Sequence, residues 1–303
     1  MQPKNDIAMV CCGRGITHKE IKEVQETVCL FSNLSRKELT QTICEHLNWR
    51  RASGSNKFDA CLKMLEKLEA KGSLKLPTKR IQVKPKRTKI VLTSKTEPEP
   101  VIKSIADGFS NINLQIVTDK NDIRLWNEYM FRYHYLGCSQ PFGYVMRYFI
   151  KNGHKILGCL LFSGAAKSMT VRDKWIGWTT NQRLQNLAWV ANNTRFLIFP
   201  WVSIKNLASH VLGKVGRRIK DDWYKKWGFH PVLMETFVDP VLYHGTCYQA
   251  SNWEYLGMTT GQGLVRKGKT YKTSPKKIYM RPVVKDFRKI LCSKNLIGNA
   301  AYE

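Results

Sequence analysis

YVMRYFIKNGHKILGCLLF, running from Tyr144 to Phe162, holds two apolar runs on either side of Asn152-Gly153. Asn-Gly suits a tight hairpin because both residues tolerate positive φ, and the flanking runs are rich in aromatic and β-branched side chains. The stretch predicts a hairpin of Tyr144–Lys151 with Lys155–Phe162. Working outward, a helix rich in aromatic residues is expected over Lys120–Tyr135, and RFLIF (Arg195–Phe199) reads as a further short strand. An amphipathic basic helix follows over Asn206–Trp227, then a strand at Val232–Val238, a helix near Cys247–Leu256 and a last strand near Lys277–Met280. Helix, hairpin, strand, helix, strand, helix, strand describes one mixed α/β layer sandwich.

The N-terminal part has a different pattern. Ser35 precedes a helical stretch with Glu38 three residues on, the spacing of a capping box, and Leu39, Ile43 and Leu47 form its apolar stripe. A basic loop from Asn48 to Lys57 breaks the pattern at Gly54. A second helix over Phe58–Ala70 is expected to bury Leu62, Leu65 and Leu68, to end near Gly72, and to lead into a short strand at Ser73–Pro77. Helix, basic loop, helix, strand is the order of a winged helix-turn-helix, whose second helix enters a major groove. Arg50, Arg51, Lys57, Lys63 and Lys67 flank that helix and are its candidate DNA contacts. A small helical bundle or a protein-binding wing is the competing reading. The expected organisation is an α+β chain: an N-terminal extension (1–33), a winged-helix-like domain (34–77), a basic, Pro-rich linker (78–110), a mixed α/β domain (111–290) and a C-terminal tail (291–303).

Composition limits the function classes. With 43% hydrophobic residues and nine Trp the 303-residue chain can fill real cores, so it is not a disordered basic tail. Against that background stand 50 Lys plus Arg and 23 Asp plus Glu, a net +27, which favours polyphosphate partners, with a ribosome or an anionic membrane surface as the other takers. The nine cysteines are scattered without a CxxC pair, as in reduced cytoplasmic proteins. No apolar run approaches the roughly 18 residues of a membrane span, and MQPKNDIAMVCCGRG does not read as a signal peptide.

Several residues could carry chemistry. Glu235 and Asp239 in METFVDP are spaced to share a strand face, and paired carboxylates could hold Mg²⁺ or Mn²⁺ for phosphodiester cleavage, with Asp173 as the third candidate. The alternative is structural: Glu235 pairs with a buried arginine such as Arg195, and Asp239 caps a turn before Pro240. Cys247 or Tyr248, at the start of a helix after Gly245, is a conceivable nucleophile because the helix N-terminus favours a thiolate. Arg195 could meet a backbone phosphate or brace Glu235. His210 sits in an apolar helical stretch and reads as a packed histidine, and Cys11, Cys12 and His18 lack zinc-site spacing. From Tyr255 to Arg281 there is no acidic residue, and Arg266, Lys267, Lys269, Lys272, Lys276, Lys277 and Arg281 lie in a Gly-containing stretch suited to a phosphate backbone, with Tyr255 and Tyr271 available for stacking.

Two resemblances add to this reading. A hairpin, then a strand feeding a helix, is similar to the acyl-CoA N-acetyltransferase (GNAT-like) fold. That fold implies a glycine-containing pyrophosphate loop at the strand-to-helix junction, and here Pro200–Ser209 contains no glycine, so acetyl-CoA is not expected as a partner. More specifically, Leu34–Trp49, YHYLG (Tyr133–Gly137), ILGCLLFS (Ile156–Ser163), DKWIGW (Asp173–Trp178), NNTRFLI (Asn192–Ile198), NLASH (Asn206–His210), ETFVD (Glu235–Asp239) and GTCY (Gly245–Tyr248) through Asn252-Trp253 resemble the DruA family. The resemblance implies a component of Druantia anti-phage systems or a mobile-element-associated relative, with DNA and a helicase or other defence proteins as partners. It carries over no catalytic residues. Three functions compete: a DNA-binding defence component, a metal-dependent nuclease or nickase of transposase-like type, and a degenerate acetyltransferase-fold interaction module.

Overall fold

The expected hairpin is present. In the computed structural model, which describes residues 6–78, 90–104, 109–261 and 273–293, Asn152 pairs with Lys155 and the turn is Gly153-His154, one residue later than the Asn-Gly reading places it. Gly153 takes φ +56° and His154 does not follow it, so one positive φ suffices for this turn. The chain divides into two compact units, one of Met1–Arg87, Trp178–Leu187 and Leu291–Glu303, the other of Thr88–Gly177 and Ala188–Ile290.

The first unit opens with an antiparallel pair, β1 (Ile7–Cys11) and β2 (Arg14–Thr17), turned by Cys12 and Gly13, both at positive φ. Helix α1 (His18–Leu30) starts on a Thr17–Glu20 capping box, and α2 (Arg36–His46) on the Ser35–Glu38 box that the sequence predicts. Each box satisfies two otherwise orphaned donors. Helix α3 (Phe58–Ala70) buries Cys61, Met64, Leu65 and Leu68; Leu62, expected on that face, lies only partly buried beside it. Leu39, Ile43 and Leu47 meet this face in one apolar cluster that also takes in Cys11, Ile16, Val24 and Val28. Residues 6–33, which the sequence left without assigned elements, thus supply two strands and a helix to that core.

Among the described residues the wing is not formed. Ser73–Pro77 has no strand, because its groups are taken by side chains: Leu76 N–H donates to Glu69, and the Pro77 carbonyl accepts from Arg36 Nε. The basic loop between α2 and α3 is instead closed on itself. Lys57 N–H donates to Trp49 O, Arg51 N–H to Ser55 O, and Gly54, at φ +77°, completes the turn. The described residues of this unit are therefore a helical bundle with an N-terminal hairpin, and the winged helix-turn-helix expectation is corrected accordingly.

The second unit contains β3 (Ile112–Ile116), α4 (Lys120–Tyr133), β4 (Met146–Asn152), β5 (Lys155–Gly164), α5 (Thr170–Ile176), then, after α6 (Thr180–Asn186) of the first unit, β6 (Val190–Ile198), α7 (Leu207–Trp227), β7 (Leu233–Val238), α8 (Thr246–Gln249), β8 (Glu254–Met258), β9 (Lys277–Pro282) and α9 (Phe287–Leu291) at its end. Seven strands form one sheet in the order β3-β4-β5-β6-β7-β9-β8, antiparallel except for the parallel pair β6–β7 that the α7 crossover requires. Adjacent residues of β4 point to opposite faces, which locates the helices. Arg147 lies over the Trp126 ring of α4, whereas the Tyr148 hydroxyl donates to Asp222 of α7. Helices therefore cover both faces.

Two further expectations change. The helix near Cys247–Leu256 stops at Gln249, since Trp253 N–H returns to Tyr248 O and Asn252 adopts φ +62°, after which the chain runs as β8. Within the stretch read as linker, residues 90–104 are tied to the second unit: Glu128 accepts from the Thr93 amide and from the Thr93 and Thr96 hydroxyls, and Ile102 bridges to Val202. Among the described residues no helix is long and apolar enough to cross a membrane.

Candidate functional site

Strands β6 and β7 pair over a short length only, Val190–Asn193 against Leu233–Thr236, and then part. Beyond that point a cleft of about 450 Å³ opens between them, bounded by Tyr133–Leu136 at and after the end of α4, Thr194 and Phe196–Ile198 of β6, and Phe237–Asp239 and Leu242–Tyr248 of and after β7. A cleft of this size between diverging strands is where an α/β fold accommodates a ligand of modest size.

The inner end of the cleft is closed by a small polar network. The Tyr248 hydroxyl donates to Asn193 Oδ1 (2.8 Å) and accepts from Thr236 Oγ1, while Asn193 Nδ2 donates to the Leu161 and Arg195 carbonyls. Tyr248 is buried, and desolvation pushes its hydroxyl well above the ordinary tyrosine range. Burial likewise raises the Cys247 thiol, outweighing the backbone N–H groups that pull it down. The helix start expected to activate either residue is only four residues long. Both groups are protonated at neutral pH, the state of a packed side chain rather than of an activated nucleophile.

At the mouth, Tyr135 and Tyr243 are 44% and 54% exposed, with ring centroids 5.8 Å apart. His134 stacks on Tyr135 at 4.9 Å and accepts the Leu136 N–H at Nδ1, so its remaining proton is on Nε2. Burial, aided by the Arg195 charge, lowers His134 to about 4 and keeps it neutral. Asp239 accepts from the Val241 N–H and from Ser274 Oγ, the turn-capping role that was one of its two expected readings. Lys277, paired in register with Val238, donates from Nζ to the His244 carbonyl at the same mouth. Tyr133–Leu136 and Tyr243 have no role assigned from the sequence; the density of tyrosine and histidine in YHYLG and in YHGTCY (Tyr243–Tyr248) was the available signal.

The proposed carboxylate pair does not face this cleft together. Glu235 is fully buried, its two oxygens taken by the Ala166 N–H (2.6 Å) and Arg172 Nη1 (2.8 Å). Asp173 binds the same fully buried arginine through Nε and Nη2 and accepts the Met169 N–H. Burial by itself would lower Arg172, but the adjoining Glu235 and Asp173 charges raise it. Glu235 therefore does pair with a buried arginine, but with Arg172 and not Arg195. Among the described residues no group of three His, Cys, Asp or Glu side chains could hold a metal ion. Arg195 braces the loop after α4, donating to Gly137 O, Thr194 O and Ser139 Oγ.

The other cationic candidates are spread over both units. Arg50 donates to Asn48, Arg51 pairs with Asp59, Lys63 is exposed, and Lys57 is partly buried with its ammonium lowered by desolvation. Lys277 starts β9 with Lys276 just before it, and Arg281 lies against Gly216 of α7, donating to Leu212 O. Arg266, Lys267, Lys269, Lys272 and Tyr271 lie outside the described residues. His210 packs as expected, stacked on Phe109 at 4.5 Å.

Acyl-transfer enzymes are among the solved structures with similarity to the chain. They include an acetyltransferase from Bacillus subtilis in complex with CoA (9% identity, TM-score 0.33, covering 57% of this chain and 99% of that one). The aminoglycoside acetyltransferase AAC(6')-Ib in complex with coenzyme A matches at 13% identity and TM-score 0.36, covering 60% and 99%. FeeM, an N-acyl amino acid synthase from uncultured soil microbes, matches at 13% and 0.32, covering 57% and 90%. Scores this low leave the fold description to the strand order itself. No curated protein matches. The family model described as Druantia protein DruA matches residues 64–267, about two-thirds of the chain, and takes in β3 to β8, both faces of the sheet and the whole cleft: the chain belongs to the DruA family.

Proposed function

We propose that the chain is a DNA-binding component of a Druantia-like anti-phage defence system. The observation that carries this reading is the charge, +27 on a chain folded around two apolar cores. Part of that charge lies on α7, where Lys214, Arg217, Arg218, Lys220, Lys225 and Lys226 stand against Asp221 and Asp222. Asp222 is taken by Arg218, and Arg217, Lys220 and Lys225 are exposed with no carboxylate at ion-pair distance among the described residues. Such a face positions a phosphate backbone without reading bases. A second reading, an interaction module on a degenerate acetyltransferase-type fold, is favoured by the cleft between β6 and β7.

The test is binding of supercoiled, linear and single-stranded DNA across a salt series, with Mg²⁺, Mn²⁺ or EDTA and strand breaks scored in parallel. Affinity should fall with salt, by a slope of about 0.9 per phosphate contact in log–log form, and Arg217→Glu, Lys220→Glu, Lys225→Glu should weaken binding and flatten that slope. Unchanged binding by the triple variant would remove α7 from the interface. Metal-dependent breaks abolished by Glu235→Gln would restore the nuclease reading.

A further inference from the structure

We infer that the cleft between β6 and β7 holds one unstacked base of a bound DNA strand. The inference rests on the nucleic-acid reading above and adds to it a second mode of contact. The cleft's lining contains aromatic rings, aliphatic side chains and a single carboxylate, Asp239, with no lysine or arginine, although the chain carries +27. A phosphate would be misplaced there, whereas a neutral planar ring would not. Tyr135 and Tyr243 stand half-exposed at the mouth, and His134 stacked on Tyr135 holds that ring as a fixed platform. Every base offers a π face, so such a platform accepts bases with little regard to sequence.

The polar groups divide in the same way. Asp239 spends one interaction on the Val241 N–H and one on Ser274, which leaves each oxygen a further lone pair for an N–H of a base edge. His134 is neutral with its free proton on Nε2, so it offers a donor without demanding an anion. The network of Tyr248, Asn193 and Thr236 is internally satisfied and closes the inner end. Lys277 is anchored on His244 O at the rim, where a phosphate flanking an inserted base would lie. A cleft lined without cations, beside a rim cation, matches a nucleotide entering base first.

The full-length chain should be titrated with single-stranded oligonucleotides carrying 2-aminopurine, following anisotropy for binding and fluorescence for stacking. Stacking in the cleft should quench the fluorophore. Tyr135→Leu and Tyr243→Leu should lose the quenching and about tenfold in affinity, and Tyr243→Phe should restore both. Lys220→Ala, Lys225→Ala should weaken binding while the bound fraction stays quenched. Quenching unchanged in both leucine variants, with binding retained, would overturn the inference and leave the nucleic-acid reading intact. Thermal protection by acetyl-CoA that the same leucine variants abolish would overturn it in favour of an acyl-carrier ligand. Absence of salt-dependent binding in the wild type would overturn the proposed function and this inference with it.

Discussion

Replacing Arg172 by Met tests the assignment of the buried charges. The guanidinium is fully buried and holds Glu235 at 2.8 Å, Asp173 at 2.8 Å and the Ala166 carbonyl at 2.8 Å. Met keeps much of the volume but leaves Glu235, itself 0% exposed, with only the Ala166 N–H. Removing one partner of a buried pair costs about 3–5 kcal/mol, because the remaining charge has lost water and gained nothing. For a unit of this size that is a fall on the order of 10 °C in melting temperature. Glu235→Gln keeps the shape and an acceptor, and Arg172 keeps Asp173, so it should cost about 1–3 kcal/mol. The double variant Arg172→Met, Glu235→Leu should recover part of the loss, since both charges are then gone. Thermal and urea unfolding, with and without Mn²⁺, provide the assay. An Arg172→Met protein within about 1 kcal/mol of wild type would refute the reasoning. So would several degrees of stabilisation by Mn²⁺ that Glu235→Gln abolishes, because Glu235 would then be a metal ligand.

Three further outcomes are expected. His134 should titrate in NMR with a midpoint of about 4; with its folded value below the ordinary 6.5, its contribution to stability is complete above about pH 6.5 and is lost as pH falls toward 4, and an ordinary midpoint would contradict the packing of the cleft mouth. Cys247, partly buried and with its thiol raised by burial, should be alkylated by iodoacetamide at pH 7.5 more slowly than the exposed Cys29, as mass spectrometry would report; faster labelling would return it to the list of nucleophiles. Gly158→Ala should be poorly tolerated because its Cβ would lie 2.2 Å from the backbone oxygen of Leu197 in the neighbouring strand, whereas the nearest atoms to the new methyl of Gly216→Ala belong to the Arg281 guanidinium, which can swing away; comparison of their melting temperatures checks the order.

Much of the architecture follows from local pattern. The capping box at Ser35–Glu38, the stripe of Leu39, Ile43 and Leu47, and the apolar runs around Asn152-Gly153 each determine their element through short-range chemistry, so helix, hairpin, strand and crossover helix could be read in order. Ser73–Pro77 alternates like a strand, yet among the described residues no strand pairs with it and Glu69 and Arg36 take its backbone groups. The N-terminal hairpin escaped notice because its strands are four and five residues long, with turn residues Cys12 and Gly13 that form no familiar pair.

The candidate site was less legible for a related reason. The sequence determined that Glu235 would be either a metal ligand or an ion-pair partner, and that the chain carries a charge suited to polyphosphate. It did not determine which arginine would meet Glu235, because Arg172 of α5 lies 63 residues away in sequence and meets Glu235 of β7 only once the chain has folded. Nor did it locate the cleft. That depends on β6 and β7 separating after Asn193 and Thr236, which brings Tyr133–Leu136 and Tyr243–Tyr248 to one opening. Periodicity and capping act within a few residues along the chain, so the sequence by itself settles which elements form. Burial of charge and the divergence of two strands are properties of the assembled sheet, and only the tertiary structure decides them.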